Sequence, residues 1–156
     1  SDPLVMSLTL HKGMTKRVIR DAGISTSDFF VFEGVLQQGD IEFEPPFFIK
    51  PVAEGTGKGI TPDSIIRRME DLVPTCEQML AAYDQPILIE RYLSGREFTV
   101  GITGTGPDAS VVGTMEVHLL PGAEQGVYSY SNKENCEELV KYIIRNSLEE
   151  ISQGTF

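Results

Sequence analysis

The stretch FFIKPVAEGTGKGI, residues 47–60, restricts the fold more than any other. Its apolar start reads as a strand, Pro51 lacks the N–H that a central strand would need, and Gly55, Gly57 and Gly59 alternate with Thr56 and Lys58 beyond it. A hairpin turn needs one or two glycines, not three. Three allow a loop that exposes several backbone N–H groups to an anion, with the Thr56 hydroxyl beside them. Two familiar phosphate loops are excluded. A Walker loop ends Gly-Lys-Ser/Thr, whereas Gly59 follows Lys58 and no glycine stands at Val52 or Ala53 to open the motif. A dinucleotide-binding turn opens a helix, and this segment runs instead to Thr61-Pro62 and an apparent strand.

Around this segment the chain alternates short strands with helices. Residues 9–22 predict a helix with Leu10, Met14, Val18 and Ile19 on its inner face and Gly23 placed for a left-handed cap. FFVFEG and PPFFIKP read as strands, SIIR as a short one, and MEDLVPTCEQMLAAY as a helix that starts near residues 71–73, because Pro74 fits only a first turn. ILIERYL and EFTVGITG are strands separated by Ser94-Gly95, and Gly106-Pro107 turns the chain into SVVGTMEVHLL. Residues 136–151, CEELVKYIIRNSLEEI, predict an amphipathic helix with Leu139, Ile143 or Ile144, and Leu148 or Ile151 inward. The hairpin-like pairing of 97–103 with 109–118 favours antiparallel sheet, hence an α+β fold rather than a doubly wound parallel one.

A chain of 156 residues, 40% apolar with eight Phe and five Tyr, suffices for one domain or two small lobes. Thirteen basic residues against 23 acidic ones, dispersed along the chain, argue against a general nucleic-acid surface, so no nucleic-acid partner is expected. No run approaches the ~18 apolar residues of a membrane span, and the N-terminus carries no secretion signal, so no membrane partner is expected and a cytoplasmic location is the default. Cys76 and Cys136 read as free thiols, and neither His11 nor His118 has metal-ligand spacing, so no metal ligand is predicted within the chain. A start at Ser-Asp and a stop just after a predicted helix read as the ends of a segment from a longer protein.

The residues that bear chemistry have two readings each. Lys50 is either a lysine snorkelling from a strand end or the cationic partner of an anion held by the glycine loop. Glu90 and Glu97 either form surface ion pairs with Arg91 and Arg96 or serve a ligand. In the second case the chain from Glu90 to Leu93 offers donors and acceptors to a flat heterocycle, and Glu97 accepts hydrogen bonds from ribose hydroxyls.

Taken together, LHKGMTKRVIRDAGI, FFIKPVAEGTGKGI, ILIERYLSGREFTVGITG and VYSYSNKE resemble the successive nucleotide-binding motifs of the D-alanine–D-alanine ligase family within the ATP-grasp superfamily, over about Leu10 to Lys133. The resemblance implies an incomplete ATP-grasp fold, α+β, of two small lobes with antiparallel sheets and flanking helices. Residues 1–89 would form the lobe that carries the glycine-rich flap, 90–96 the hinge, and 97–156 the start of the second lobe, with ATP between them. Lys12 and Lys50 match phosphate-binding lysines, and Glu54, Gly55, Thr56, Gly57, Lys58 and Gly59 the flap over the phosphates. Glu90, Arg91, Tyr92 and Leu93 match the adenine-recognising hinge, Glu97 the ribose-binding acid, and Lys133 a catalytic lysine on the loop that closes over the γ-phosphate.

The sequence departs from the family at two places. Thr56-Gly57 stands where Gly-Ser-Ser is common, and Ser129, Ser131 and Glu134 alter the Tyr-Asp-Tyr-Glu-Ala-Lys-Tyr pattern of the closing loop, which bears on the amino-acid substrate. The implied activity is ATP-dependent joining of a carboxylate to an amine through an acyl phosphate, D-alanine to D-alanine or a related amino acid, as in cell-wall synthesis. ATP and small amino acids are the expected partners, with Mg2+ ligands outside this chain and no turnover by the chain alone. An open sheet edge in the second lobe would invite a homodimer. Two alternatives stay open: a nucleotide-binding module without catalysis, and an ATP-grasp ligase for a different amino acid or peptide.

Overall fold

The computed structural model describes residues 2–145, and the chain divides into two compact units, Ser1–Leu93 and Ser94–Phe156. The first unit is built on a four-stranded antiparallel sheet of order β1-β4-β2-β3, from Phe29–Phe32 (β1), Phe47–Pro51 (β2), Ile65–Ile66 (β3) and Ile87–Arg91 (β4). The register Phe47↔Arg91, Ile49↔Ile89 and Lys50↔Leu88 gives the sheet two chemically different faces. On one, Phe32, Phe47, Ile49, Ile66, Ile87 and Ile89 pack with Leu72 and Cys76 of the helix α3, Met69–Tyr83, into the core. Full burial of each large apolar side chain there contributes about 1.5–3 kcal/mol. The alternation of β2 then puts Phe48 and Lys50 on the opposite face, in register with Glu90 and Leu88 of β4.

That opposite face is covered by α2, Lys12–Asp21, which follows a first helix α1, Pro3–Leu10. His11 separates the two: its extended backbone (ψ 92°) ends α1, and its Nδ1 accepts the Met14 N–H at 3.2 Å to cap α2. The predicted single helix from residue 9 is therefore two helices. Its predicted inner face is also reversed, since Met14 and Val18 are 41% and 48% exposed while Gly13 and Lys16 are buried. Two features turn the helix this way. Gly13 lets it approach β1 so closely that a Cβ there would lie 2.7 Å from Val31 Cγ2, and Lys16 finds a buried carboxylate on the sheet. The C-terminus follows expectation: Gly23 has φ +75°, and the bonds Gly23 N to Arg20 O and Ile24 N to Ile19 O form a Schellman cap.

The α3 helix begins at Met69 rather than at 71–73, so Pro74 lies beyond its first turn; Glu70 and Asp71 at the N-terminus favour the earlier start through the helix dipole. It ends at Asp84, in the left-handed region at φ +50°, with the Asp84 N–H on Leu80 O.

The second unit holds a three-stranded antiparallel sheet, β5-β6-β7, from Glu97–Thr103, Ser110–Leu119 and Val140–Arg145, with short helices α4 (Tyr130–Glu134) and α5 (Cys136–Leu139) between the last two strands. The hairpin predicted from 97–103 and 109–118 is present, with a bulge between Gly101 and Ile102. The helix predicted over 136–151 is not. Only Cys136–Leu139 is helical, and Val140–Arg145 pairs with β6 from Leu119↔Val140 to Thr114↔Arg145. VKYIIR is rich in β-branched and aromatic residues, and the open side of β6 offers it a full ladder, so pairing overrides the helical spacing. Leu120 N on Leu139 O, 2.9 Å, fixes the point of change. Residues 146–151 of that expectation lie outside the described residues. Among the described residues no helix is long and apolar enough to cross a membrane.

Candidate functional site

Lys12 meets the glycine loop at the end of β2, whereas Lys50, one residue before that end, turns its side chain to Glu90. Lys12, the first residue of α2, is tied to this end by its backbone, Lys12 N to Val52 O at 3.0 Å. Its Nζ donates to Pro51 O (3.0 Å), Val52 O (3.3 Å) and Glu54 O, so the ammonium caps the carbonyls at the entry to the loop. Burial, and next the charge of Lys50, lower the Lys12 pKa below its ordinary 10.5; Glu54 and Glu90 act the other way. The Lys50 charge thus opposes protonation of Lys12, an opposition that a nearby anion would relieve.

The loop itself is anchored on both sides. Gln85 accepts from Ala53 N (2.7 Å) and donates to Glu54 Oε1 (2.9 Å), while Glu54 Oε2 lies 3.4 Å from Lys58 Nζ. Glu54 therefore fastens the loop, a role that fits an acid better than facing phosphates. Lys58 N to Gly55 O and Ile60 N to Gly57 O, each 3.0 Å, close two successive turns. Thr56, Gly57 and Gly59 have φ of +54°, +85° and +81°. At Gly59 a Cβ would also strike the Pro51 ring at 2.8 Å and Tyr83 Cζ at 3.0 Å, so glycine lets the loop lie on the strand end.

Glu90 ends the buried part of β4 and is 7% exposed. Its Oε1 accepts from Lys16 Nζ (2.7 Å) and Ser27 Oγ (3.2 Å), and its Oε2 pairs with Lys50 Nζ. Burial pushes its pKa up, but the Lys50 charge and the bonds from Lys16 and Lys50 outweigh this, and the carboxyl sits below its ordinary 4.5. Arg91 does not pair with Glu90; it binds Asp28 at 3.0 Å and stacks 5.7 Å from the Phe43 ring centre. Tyr92 N donates to Pro46 O (3.0 Å), its ring stands 6.3 Å from that of Phe48, and Leu93 is 67% exposed.

Glu97 and Lys133 belong to the second unit. Glu97 opens β5 opposite Val117. Lys133, in the last turn of α4, lies 4.8 Å from the centre of the Tyr128 ring. The surrounding loop is held by Ser129, which caps α4 through Asn132 N (3.2 Å) and bonds Glu124, and by the buried Asn132 amide, which joins Glu124 N, Glu124 O and Val127 O. Arg96 reaches Glu116, with Nε at 2.6 Å and Nη2 at 2.8 Å, where Arg145 and His118 also converge. Glu116 is 1% exposed, and the hydrogen bonds from Arg96, then Arg145, hold its pKa at about 2 against the burial.

Lys16, Thr26, Ser27, Gln85 and Glu116 were not singled out from the sequence. For Lys16 a signal existed: it stands four residues after Lys12, on the same helical face as Gly13. Among the described residues no cluster of three or more His, Cys, Asp or Glu is placed to hold a metal, so the implied Mg2+ has no ligand set among them.

Residues 18–155 match the family described as D-ala D-ala ligase C-terminus. The chain belongs to this family. It is 33% identical over 143 residues to the D-alanine–D-alanine ligase of Bordetella petrii, a match covering 88% of this chain and 40% of the relative. The fold agrees: the VanG D-Ala:D-Ser ligase from Enterococcus faecalis superposes with a TM-score of 0.68 at 23% identity, over 95% of this chain and 42% of that one. The ATP-complexed D-alanine–D-alanine ligase of Bacillus anthracis gives 0.59 at 17% identity, over 94% and 42%. This family member thus has the ATP-grasp architecture and spans about 40% of the length of the curated relative.

Proposed function

We propose that this chain is the nucleotide-binding part of an ATP-dependent carboxylate–amine ligase that joins D-alanine to D-alanine. The observation that carries the reading is the placement of the Lys12 ammonium at the entry to the glycine loop that follows β2, with Lys50 on the sheet face that α2 covers, held there by Glu90. Phosphoryl transfer concentrates negative charge on the γ-phosphate and the departing β-phosphate, and a site serves it by fixed positive charge and N–H donors. Lys12 and Lys50 supply the charge and the turn at 55–59 the donors. The exposed Leu93 and the Phe48–Tyr92 ring pair present an apolar rim suited to a purine, and Glu97 serves the ribose.

In the reaction, a carboxylate oxygen of the first D-alanine attacks the γ-phosphorus as the bond to the β-phosphate oxygen breaks. ADP leaves and an acyl phosphate forms. The amine of the second D-alanine then attacks the acyl carbon, phosphate departs, and the nitrogen loses a proton. Lys133 balances the charge on the transferring group. The full-length protein that contains this chain, given ATP, Mg2+ and D-alanine, is expected to release ADP and phosphate in step with D-alanyl-D-alanine, read by mass spectrometry. ATP turnover indifferent to any amino acid overturns the ligase assignment. The 156-residue chain alone is expected to make no dipeptide.

A further inference from the structure

Lysine is rarely buried unless its ammonium is fully partnered. Lys16 is 8% exposed, and its Nζ reaches Thr26 Oγ1 at 2.7 Å, Ser27 Oγ at 2.8 Å and Glu90 Oε1 at 2.7 Å, one acceptor for each proton. It is spent on the protein interior and has no donor left for a ligand. Lys50, on the other oxygen of Glu90, has 21% of its side chain exposed and keeps donors to spare. Glu90 thus joins a closed cation to an open one.

We propose that Lys16 is a positioning residue: fixed by Thr26 and Ser27, it orients and neutralises Glu90, so that Glu90 aims Lys50 without consuming its charge. This rests on the reading of Lys50 as a phosphate-binding lysine. The charge count carries it. Lys16, Glu90 and Lys50 together hold one net positive charge, available at the exposed end, to which Lys12 adds a second. Without Lys16, the Glu90 carboxylate and Lys50 cancel, and Lys50 is drawn into the pair. The register Phe48↔Glu90 and Lys50↔Leu88 places Glu90 and Lys50 on one sheet face, and the close approach allowed by Gly13 brings Lys16 onto it.

The test compares the 156-residue chain with Lys16→Met, Lys50→Met and the double variant. ATP affinity is measured by calorimetry, and the Glu90 carboxyl midpoint by carbon NMR. Lys16→Met is expected to raise the Glu90 midpoint and to weaken ATP about tenfold, the order of one unit charge across a partly buried site. Lys50→Met should cost less in the Lys16→Met background than in the wild type, a coupling that general loosening does not produce. Where Lys16→Met does not fold, Thr26→Val loosens Lys16 with the charges and the Ser27 bond to Glu90 kept, and a midpoint shift in the same direction is read. Unchanged midpoint and unchanged ATP affinity overturn the proposal. A wild type that binds no ATP overturns the functional reading instead, and the midpoint still decides whether Lys16 governs Glu90.

Discussion

Replacing Gly13 by alanine should destabilise the first unit, although the same change in a helix normally does the opposite. Alanine gains up to about 1 kcal/mol over glycine in a helix interior, and less in the first turn, where Gly13 stands. Here the new Cβ would stand 2.7 Å from Val31 Cγ2, on a stiff β-branched side chain of β1, and 3.4 Å from His11 Cε1. Overpacking of this kind costs about 1–3 kcal/mol, so the net effect is a loss of about 0–3 kcal/mol. The sharper quantity is the coupling. With Val31→Ala the obstacle is gone, and Gly13→Ala should then stabilise by up to about 1 kcal/mol, a non-additivity of about 1–3 kcal/mol. Amide hydrogen exchange of Ile87, Leu88 and Ile89 in β4 reads the opening free energy of the first unit separately from the second. Gly13→Ala that stabilises by about 1 kcal/mol with Val31 in place, and by the same amount without it, would refute the close helix–sheet contact and with it the placement of Lys12 and Lys16.

Two further predictions concern the loop and the second unit. Gly59→Ala meets both a φ of +81° and the Pro51 ring, and should cost about 2–4 kcal/mol in urea unfolding, whereas Gly55→Ala, with nothing within 4 Å of its Cβ, should change stability by less than about 0.5 kcal/mol. Glu116 has its folded pKa lowered from 4.5 to about 2, so its contribution is complete above pH 4.5 and disappears as the pH falls through about 2. Thermal unfolding across that window should show the second unit losing stability with acid in the wild type and a flatter profile in Glu116→Gln; identical profiles would contradict the Arg96–Glu116–Arg145 network.

Local chemistry made most of the strands legible. Pro51 and the three glycines mark the end of β2 and the loop, and Gly23 marks the end of α2, because only a few residues satisfy those backbone requirements. Lys50 stood out for the same reason. What stayed hidden depends on partners far along the chain. The rotation of α2 is set by Glu90, 74 residues from Lys16, and by the contact of Gly13 with Val31. Nothing within residues 9–22 reveals either, so the apolar stripe of Met14 and Val18 points to the wrong face. The spacing in CEELVKYIIR likewise suits a helix or a strand, and the free side of β6 decides between them. Glu116 escaped notice because its two arginines lie 20 residues before it and 29 after it.

The most direct test of the account is calorimetric titration of this chain with ATP, with and without magnesium, beside Lys50→Ala and Lys12→Ala. The lysine and glycine cradle predicts saturable binding by the wild type, weakened about tenfold or more by Lys50→Ala, as expected for loss of a charge-assisted phosphate contact, and weakened also by Lys12→Ala, whose ammonium is held by three carbonyls and acts through its charge. Binding of equal strength in all three proteins, or none in the wild type, would contradict it.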